Sequence, residues 1–276
     1  MLQKIGNRLL AVGRTDVGNV RTLNEDNFRI DPEVGLLIVS DGMGGHEAGE
    51  LASLHVVDTI DAFFSAHGGT PLEELETEEN DNSDQTVDLG DDATLDSLPN
   101  PVLAAVASAV TAANTKLNAL NEAQGYSEGH GMGATVVGLW MPSFTDTPVV
   151  FHVGDSRMYL FSGGELKQVT QDHSMYQFWV NSGRMGVPPA KNVLLQAMGP
   201  GRRVIPDVNF QPVAPGDVVV LCTDGLTGMA NDEMIAEVLR GVDADSLAQR
   251  CDRLVELAKE RGGKDNVTVI LGYVQS

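Results

Sequence analysis

The chain has 276 residues, 42% of them hydrophobic, which suits one globular domain and, on length alone, leaves room for two small ones. A formal net charge of −21 sets it against nucleic acid, and no apolar run approaches the roughly 18 residues that a membrane span needs. Cys222 in an apolar run and Cys251 in a helix-like stretch read as buried hydrophobes, and the N-terminal residues lack a signal-peptide pattern, so a cytoplasmic protein is expected.

In chain order, the apolar run 36–40 predicts a first strand. A helix from about Gly45 would align Ala48, Leu51, Leu54, Val57, Ile60 and Phe64 on one stripe. Residues 70–100 follow with few large apolar side chains, and 73–96 carry eleven acids and no base, about half of the net charge. Such a composition does not offset its own ordering entropy, so this segment is expected to be a flexible, solvated insertion. Pro101, a favourable first-turn residue, opens a second helix that presents Val102, Val106, Val110, Ala113, Leu117 and Leu120. Strands are predicted at 134–140, 149–153 and 158–161, with Ser162-Gly163-Gly164-Glu165 as a hairpin turn. A strand at 218–221, helices over about 231–240 and 245–261, and a last strand at 267–271 complete the chain. Strands do not alternate regularly with helices, so antiparallel sheets with helices packed outside, an α+β fold, fit better than a doubly wound sheet. We expect a single domain spanning 1–276.

Acids recur where strands run into glycine turns: Val39-Ser40-Asp41-Gly42, Val153-Gly154-Asp155-Ser156 and Cys222-Thr223-Asp224-Gly225. Asn24-Glu25-Asp26-Asn27 and Lys264-Asp265-Asn266 add two more acidic sites. One Asp-Gly is an ordinary turn, but three strand-to-acid turns deliver carboxylates to sheet edges where glycine lets backbone approach closely. Gathered carboxylates raise one another's pKa unless something positive neutralises them. Mn²⁺ or Mg²⁺ suits oxygen donors, whereas the histidines and cysteines of a zinc site do not recur at these turns. Paired divalent ions serve in-line displacement at phosphorus, so phosphoester hydrolysis is the reaction this set suits.

The strings Arg21-Thr22-Leu23-Asn24-Glu25-Asp26, Asp41-Gly42-Met43-Gly44-Gly45-His46, Gly131-Met132-Gly133-Ala134-Thr135, Val153-Gly154-Asp155-Ser156-Arg157, Asp172-His173-Ser174, Thr223-Asp224-Gly225-Leu226 and Lys264-Asp265-Asn266-Val267-Thr268 occur in this order. Together they resemble the bacterial branch of the protein phosphatase 2C (PP2C, PPM) family, from about Val12 to Val274 apart from the acidic insertion. The resemblance implies a four-layer α-β-β-α sandwich of two antiparallel sheets, with a metal site at one end. It implies that Asp41 bridges two metals and the Gly42 carbonyl binds one of them. Asp224 and Asp265 would hold the first metal, Glu25 and Asp26 would act directly or through water at the second, and Asp155 would help to bind a weaker third.

Arg21 matches the family's phosphate-binding arginine, whose fork meets two phosphate oxygens at once. Asn266 would orient a water or bond a ligand, or cap the strand start. The family's animal members carry a histidine directly after the Asp-Gly, where Met43 stands here. His46 would protonate the leaving alkoxide or cap the following helix, and His173 reads as structural. Residues 171–199 take the place of the family's flap, a variable segment that helps to choose substrates. Arg184 in it would meet a second phosphate or an acidic substrate, or stay solvated. The implied activity is direct hydrolysis of phosphoserine and phosphothreonine in proteins by a monomer, with a bacterial serine/threonine kinase and its targets as partners. A catalytically weak phosphatase-like binding module and a phosphatase of small phosphorylated molecules are the alternatives.

Overall fold

The computed structural model describes residues 2–6, 8–44, 47–67 and 100–275; His46 and, apart from Asn100, the acidic insertion lie outside them. One sheet runs in the order β1 (Gln3–Ile5), β2 (Leu9–Asp16), β12 (Val267–Val274), β11 (Val218–Cys222), β8 (Arg157–Ser162) and β9 (Glu165–Gln168). The other runs β10 (Asp207–Phe210), β7 (Val149–Val153), β6 (Val136–Trp140), β4 (Leu36–Met43) and β3 (Asp26–Asp31), with the short β5 (Gly133–Ala134) paired to β4. Every pairing is antiparallel. The β8–β9 hairpin turns through Gly163 and Gly164, with φ 59° and 89°, the doubly left-handed geometry that glycine supplies.

The apolar runs are strands covered on both faces. In β4, Leu36 and Ile38 pack towards α1 (Glu47–His67) and α2 (Pro101–Ala123), while Leu37 and Val39 face the opposite sheet. In β11, Val218, Val220 and Cys222 pack towards α5 (Asp232–Leu239) and α6 (Leu247–Glu260), while Val219 and Leu221 point inward. The short α4 (Asp224–Thr227) joins that outer layer through Leu226. Period-two alternation thus divides one apolar run between two cores, and the layers stack as α-β-β-α.

Three helix predictions hold closely, since α2 begins at Pro101 and α5 and α6 lie within their expected spans. In α2, Val106, Val110, Ala113 and Leu117 are buried as expected. In α1 the buried face is Ala52, Val56, Val57, Ile60 and Phe64, whereas Leu51 and Leu54 are exposed. The helix is rotated from the expected stripe because its small residues meet the sheet: a Cβ on Gly42 of β4 would lie 2.0 Å from the Gly49 carbonyl oxygen. The strands β2 and β3 were not expected. The second half of β2 is Gly13-Arg14-Thr15-Asp16, and β3 is an edge strand whose Arg29 reaches Asp61 (2.7 Å) and Asp58 on α1. Their polar residues are satisfied by neighbours that only the fold supplies. Among the described residues, no helix is long and apolar enough to cross a membrane.

Leu221 is fully buried between the sheets. Leu221→Ala is expected to lower the unfolding free energy by about 2–5 kcal/mol in urea with an unchanged m-value. A loss below about 1 kcal/mol would contradict this packing.

Candidate metal centre

β3 and β4 pair with Asp26 directly opposite Asp41, which sets two carboxylates side by side at one end of a sheet. Asp26 is 5% exposed. Its Oδ2 accepts hydrogen bonds from Thr223 Oγ1 at 2.9 Å and Thr268 Oγ1 at 2.7 Å, both delivered by the opposite sheet. Its Oδ1 is buried without a partner, and so is Oε1 of Glu25. Unpaired buried oxygens of this kind call for a ligand.

Backbone clamps hold Asp41. Its N–H donates to Thr135 Oγ1 (3.0 Å), and its carbonyl accepts from the Thr135 N–H (2.8 Å). Thr135 separates β5 from β6 and is tied in turn to Ser156 Oγ (2.7 Å) and, through its carbonyl, to Ser40 Oγ (2.6 Å). The Gly42 N–H donates to the Glu25 carbonyl at 3.1 Å, so the two acidic segments are stitched together by backbone. Asp155 follows the left-handed Gly154 (φ 107°) after β7, Asp224 opens α4, and Asp265 stands just before β12.

The carboxylates feel one another. Burial and the Asp26 charge hold Asp41 well above the ordinary aspartate range, with Asp224, Asp155 and Asp265 adding to the shift. Burial and the Asp224 and Asp265 charges outweigh the two threonine hydroxyls and push Asp26 up to about 7. Asp155 is likewise pushed up to about 7 by burial and Asp224. Asp224 is raised by burial and the Asp265 charge, which outweigh the opposing effect of its contact with Asp41. Asp41, Asp224 and Asp265, distant in sequence, therefore converge.

Few cations answer this charge among the described residues. Arg21 donates from Nη2 to Asp265 Oδ2 at 2.9 Å and lies 3.8 Å from Glu25 Oε2 through Nη1. Arg157 is committed elsewhere, donating through Nε and Nη2 to both oxygens of Asp172 at 2.7 Å each. An all-oxygen donor set with two orphaned atoms and too little positive charge fits hard divalent cations.

Asn266 is 4% exposed and fully engaged: Oδ1 accepts from the Glu25 N–H, and Nδ2 donates to the Val17 and Leu23 carbonyls. This arrangement fits a clamp on the Arg21–Asp26 loop rather than contact with a ligand. Thr135, Ser156, Thr223 and Thr268 had no assigned role in the sequence, where Ser156 and Thr223 stand next to acids but Thr135 has none beside it. His173 accepts from the Gly154 N–H at Nδ1 (3.3 Å) and approaches Asp207 Oδ2 at 3.3 Å through Nε2. His152 stacks on it, with ring centroids 4.4 Å apart. Stacked rings cannot both aim in-plane lone pairs at one ion, and His152 Nε2 already meets the Gln171 carbonyl at 2.9 Å, so this group reads as a structural clasp at the flap base.

Fold and acid cluster together are those of a phosphatase with a divalent-metal centre. The chain belongs to the protein phosphatase 2C family, whose model matches residues 19–271. It is 31% identical to the serine/threonine phosphatase Stp of Listeria monocytogenes over 94% of this chain and 93% of that one. The crystal structure of the Mycobacterium tuberculosis serine/threonine phosphatase PstP/Ppp superposes with a TM-score of 0.76 at 31% identity, covering 98% of this chain and 100% of that one. A PstP catalytic domain solved with two manganese ions gives a TM-score of 0.74 at 31% identity over 98% and 99% of the two chains.

The raised carboxylates make stability depend on pH. For Asp26 and Asp155 the folded-state values near 7 exceed the ordinary 3.8, so the folded chain holds these protons more tightly than the unfolded one. Their contribution is complete below about pH 4 and is lost as pH rises through about 7. In chelator, the melting temperature should fall by several degrees between about pH 5.5 and about pH 8, and Mn²⁺ should restore more at the higher pH. A metal-free melting temperature that is flat or rising over that range would contradict the clustering.

Proposed function

We propose that this phosphatase hydrolyses phosphoserine and phosphothreonine in proteins, with two Mn²⁺ or Mg²⁺ ions held by the acid cluster, and reverses the action of a serine/threonine kinase. The observation that carries the reading is the convergence of Asp26, Asp41, Asp224 and Asp265 around orphaned buried carboxylate oxygens. Asp41 would serve both ions and the Gly42 carbonyl one of them, Asp224 and Asp265 the first, and Glu25 and Asp26 the second. Asp155 would serve a weaker third. When bound, the ions would supply Lewis-acid polarisation at phosphorus and a nucleophilic water at neutral pH.

The chain's own residues do the rest. Arg21 is half exposed and rests on Asp265, so its fork can turn to two phosphate oxygens by giving up one surface ion pair worth about 1 kcal/mol or less. Thr223 and Thr268 hold Oδ2 of Asp26, which leaves Oδ1 as the free donor oxygen. Covalent catalysis through a thiolate has no support, because burial pushes the thiols of Cys222 and Cys251 up to about 12. His46 is the proposed proton donor to the leaving serine or threonine alkoxide.

With Mn²⁺ present, Asp41→Ala should lower turnover of a phosphothreonine peptide by roughly a thousandfold while circular dichroism stays native. Near-wild-type activity in that variant would refute the site. His46→Gln should cut turnover of the same peptide by roughly tenfold or more, and that of p-nitrophenyl phosphate much less, since nitrophenolate leaves without a proton. Equal losses on both substrates would remove His46 from the acid role.

A further inference from the structure

A cleft of about 570 Å³ opens between the flap and the α4–α5 turn, and its lining includes Asp155 and Asp224 of the metal centre. A phosphoresidue held at that centre would place its chain neighbours at this cleft, whose volume is that of a small-molecule site and suits a few side chains. The flap wall carries Tyr176, from α3 (Met175–Asn181), and Lys191. The facing wall carries Asp232 and Glu233, the first-turn acids of α5.

Two cations line the cleft. Arg157 has no donor pair to offer, because Asp172 takes Nε and Nη2 and the Tyr159 hydroxyl takes Nη1 at 2.9 Å. Lys191 makes no ion pair and no side-chain hydrogen bond among the described residues. Its ammonium lies 5.1 Å from the centre of the Tyr176 ring, which itself packs on Trp179 at 5.6 Å. A cation held over an aromatic face is pre-positioned without being neutralised. Arg184, the flap arginine that the sequence suggested for an anionic contact, is exposed near the flap tip and does not line the cleft.

We propose that Lys191, braced by Tyr176, reads a second anionic group on the substrate, a carboxylate or a further phosphoryl group close in sequence to the phosphoserine or phosphothreonine being hydrolysed. The proposal rests on the phosphatase reading above and adds the class of substrate. Polarity supports it: with Asp232 and Glu233 opposite, an anionic side chain is accepted on the flap side alone. The chain's overall negative charge does not cancel the contact, because at physiological ionic strength exposed charges beyond about 8 Å are largely screened.

The test is kcat/KM of the Mn²⁺-loaded full chain on phosphothreonine peptides in which each flanking position in turn is alanine, aspartate, lysine or phosphoserine. Wild type should favour an anionic residue over alanine by about three- to tenfold at one or two positions. In Lys191→Met, which keeps the apolar stem, that ratio should collapse to about one, and in Lys191→Glu it should fall below one with lysine peptides gaining. Tyr176→Leu should reduce the ratio in part. A structural role for Lys191 would slow all peptides alike and leave the ratio intact, which would overturn the proposal. A wild-type ratio of one would overturn it as well. Preference for phosphoserine or for aspartate would tell which anion is read. Absence of turnover on every peptide and on p-nitrophenyl phosphate would instead refute the phosphatase reading, and the inference with it.

Discussion

Mutual repulsion among carboxylates at the shared end of two sheets is the constraint on which the rest of this molecule depends. Glu25, Asp26, Asp41, Asp155, Asp224 and Asp265 are brought together, with Arg21 paired to Asp265 and close to Glu25. Without further positive charge, burial and mutual repulsion push Asp26 and Asp155 up to about 7 and hold Asp41 well above the ordinary aspartate range. Arg21 folding back onto Asp265 is the same need expressed in a side chain. The centre thus has a standing demand for cations, which divalent ions meet more fully than one arginine.

The sandwich turns that demand into geometry. Asp26 and Asp41 come from one sheet, and Asp224 and Asp265 from the ends of strands in the other, so the cluster exists only while the two sheets stay in register. Leu37, Val39, Leu221 and Ile270 supply the apolar layer between the sheets, and Thr223 and Thr268 span the same gap to reach Asp26. Three asparagines extend the scaffold outward along one side of α2. Asn114 and Asn118 bond the backbone at Gly199, where the flap ends, and Asn121 bonds Met132 in both directions at 2.8 Å. Reaction centre and flap end are therefore tied to one helix.

The flap itself is anchored at its base and loose in its body. His173 clasps the Gly154 turn, and Arg157 holds Asp172 through Nε and Nη2. Beyond that base, α3 buries none of its residues, and Phe178, Met185 and Val187 are 59%, 80% and 90% exposed. A segment with few buried contacts belongs to the low-stability end of a protein, and an apolar one is suited to meeting other proteins. The acid cluster sits on rigid strand ends, and the exposed apolar side chains sit on the adaptable segment beside it.

Much of this was legible in the chain. The runs 218–221 and 267–271 read as strands because fully covered strands are apolar without a break, and Pro101 marked the start of α2. The acids following apolar runs marked the centre, although the Asp-Gly pairs read as turns lie inside β4 (Asp41-Gly42) and in the first turn of α4 (Asp224-Gly225). Other features depend on partners that only the folded chain brings into contact. β3 is polar because Arg29 finds acids on α1, α1 turns Leu51 outward because Gly42 and Gly49 touch, and Asn266 is a clamp because Val17, Leu23 and Glu25 surround it. By itself the sequence determined residue chemistry and local periodicity, hence the element types, the oxygen-only donor set and the surplus of negative charge. Only the tertiary structure decided which acids share one space, which hydroxyls satisfy them and which cation faces the cleft, since burial and Coulomb interaction depend on distance in space rather than along the chain.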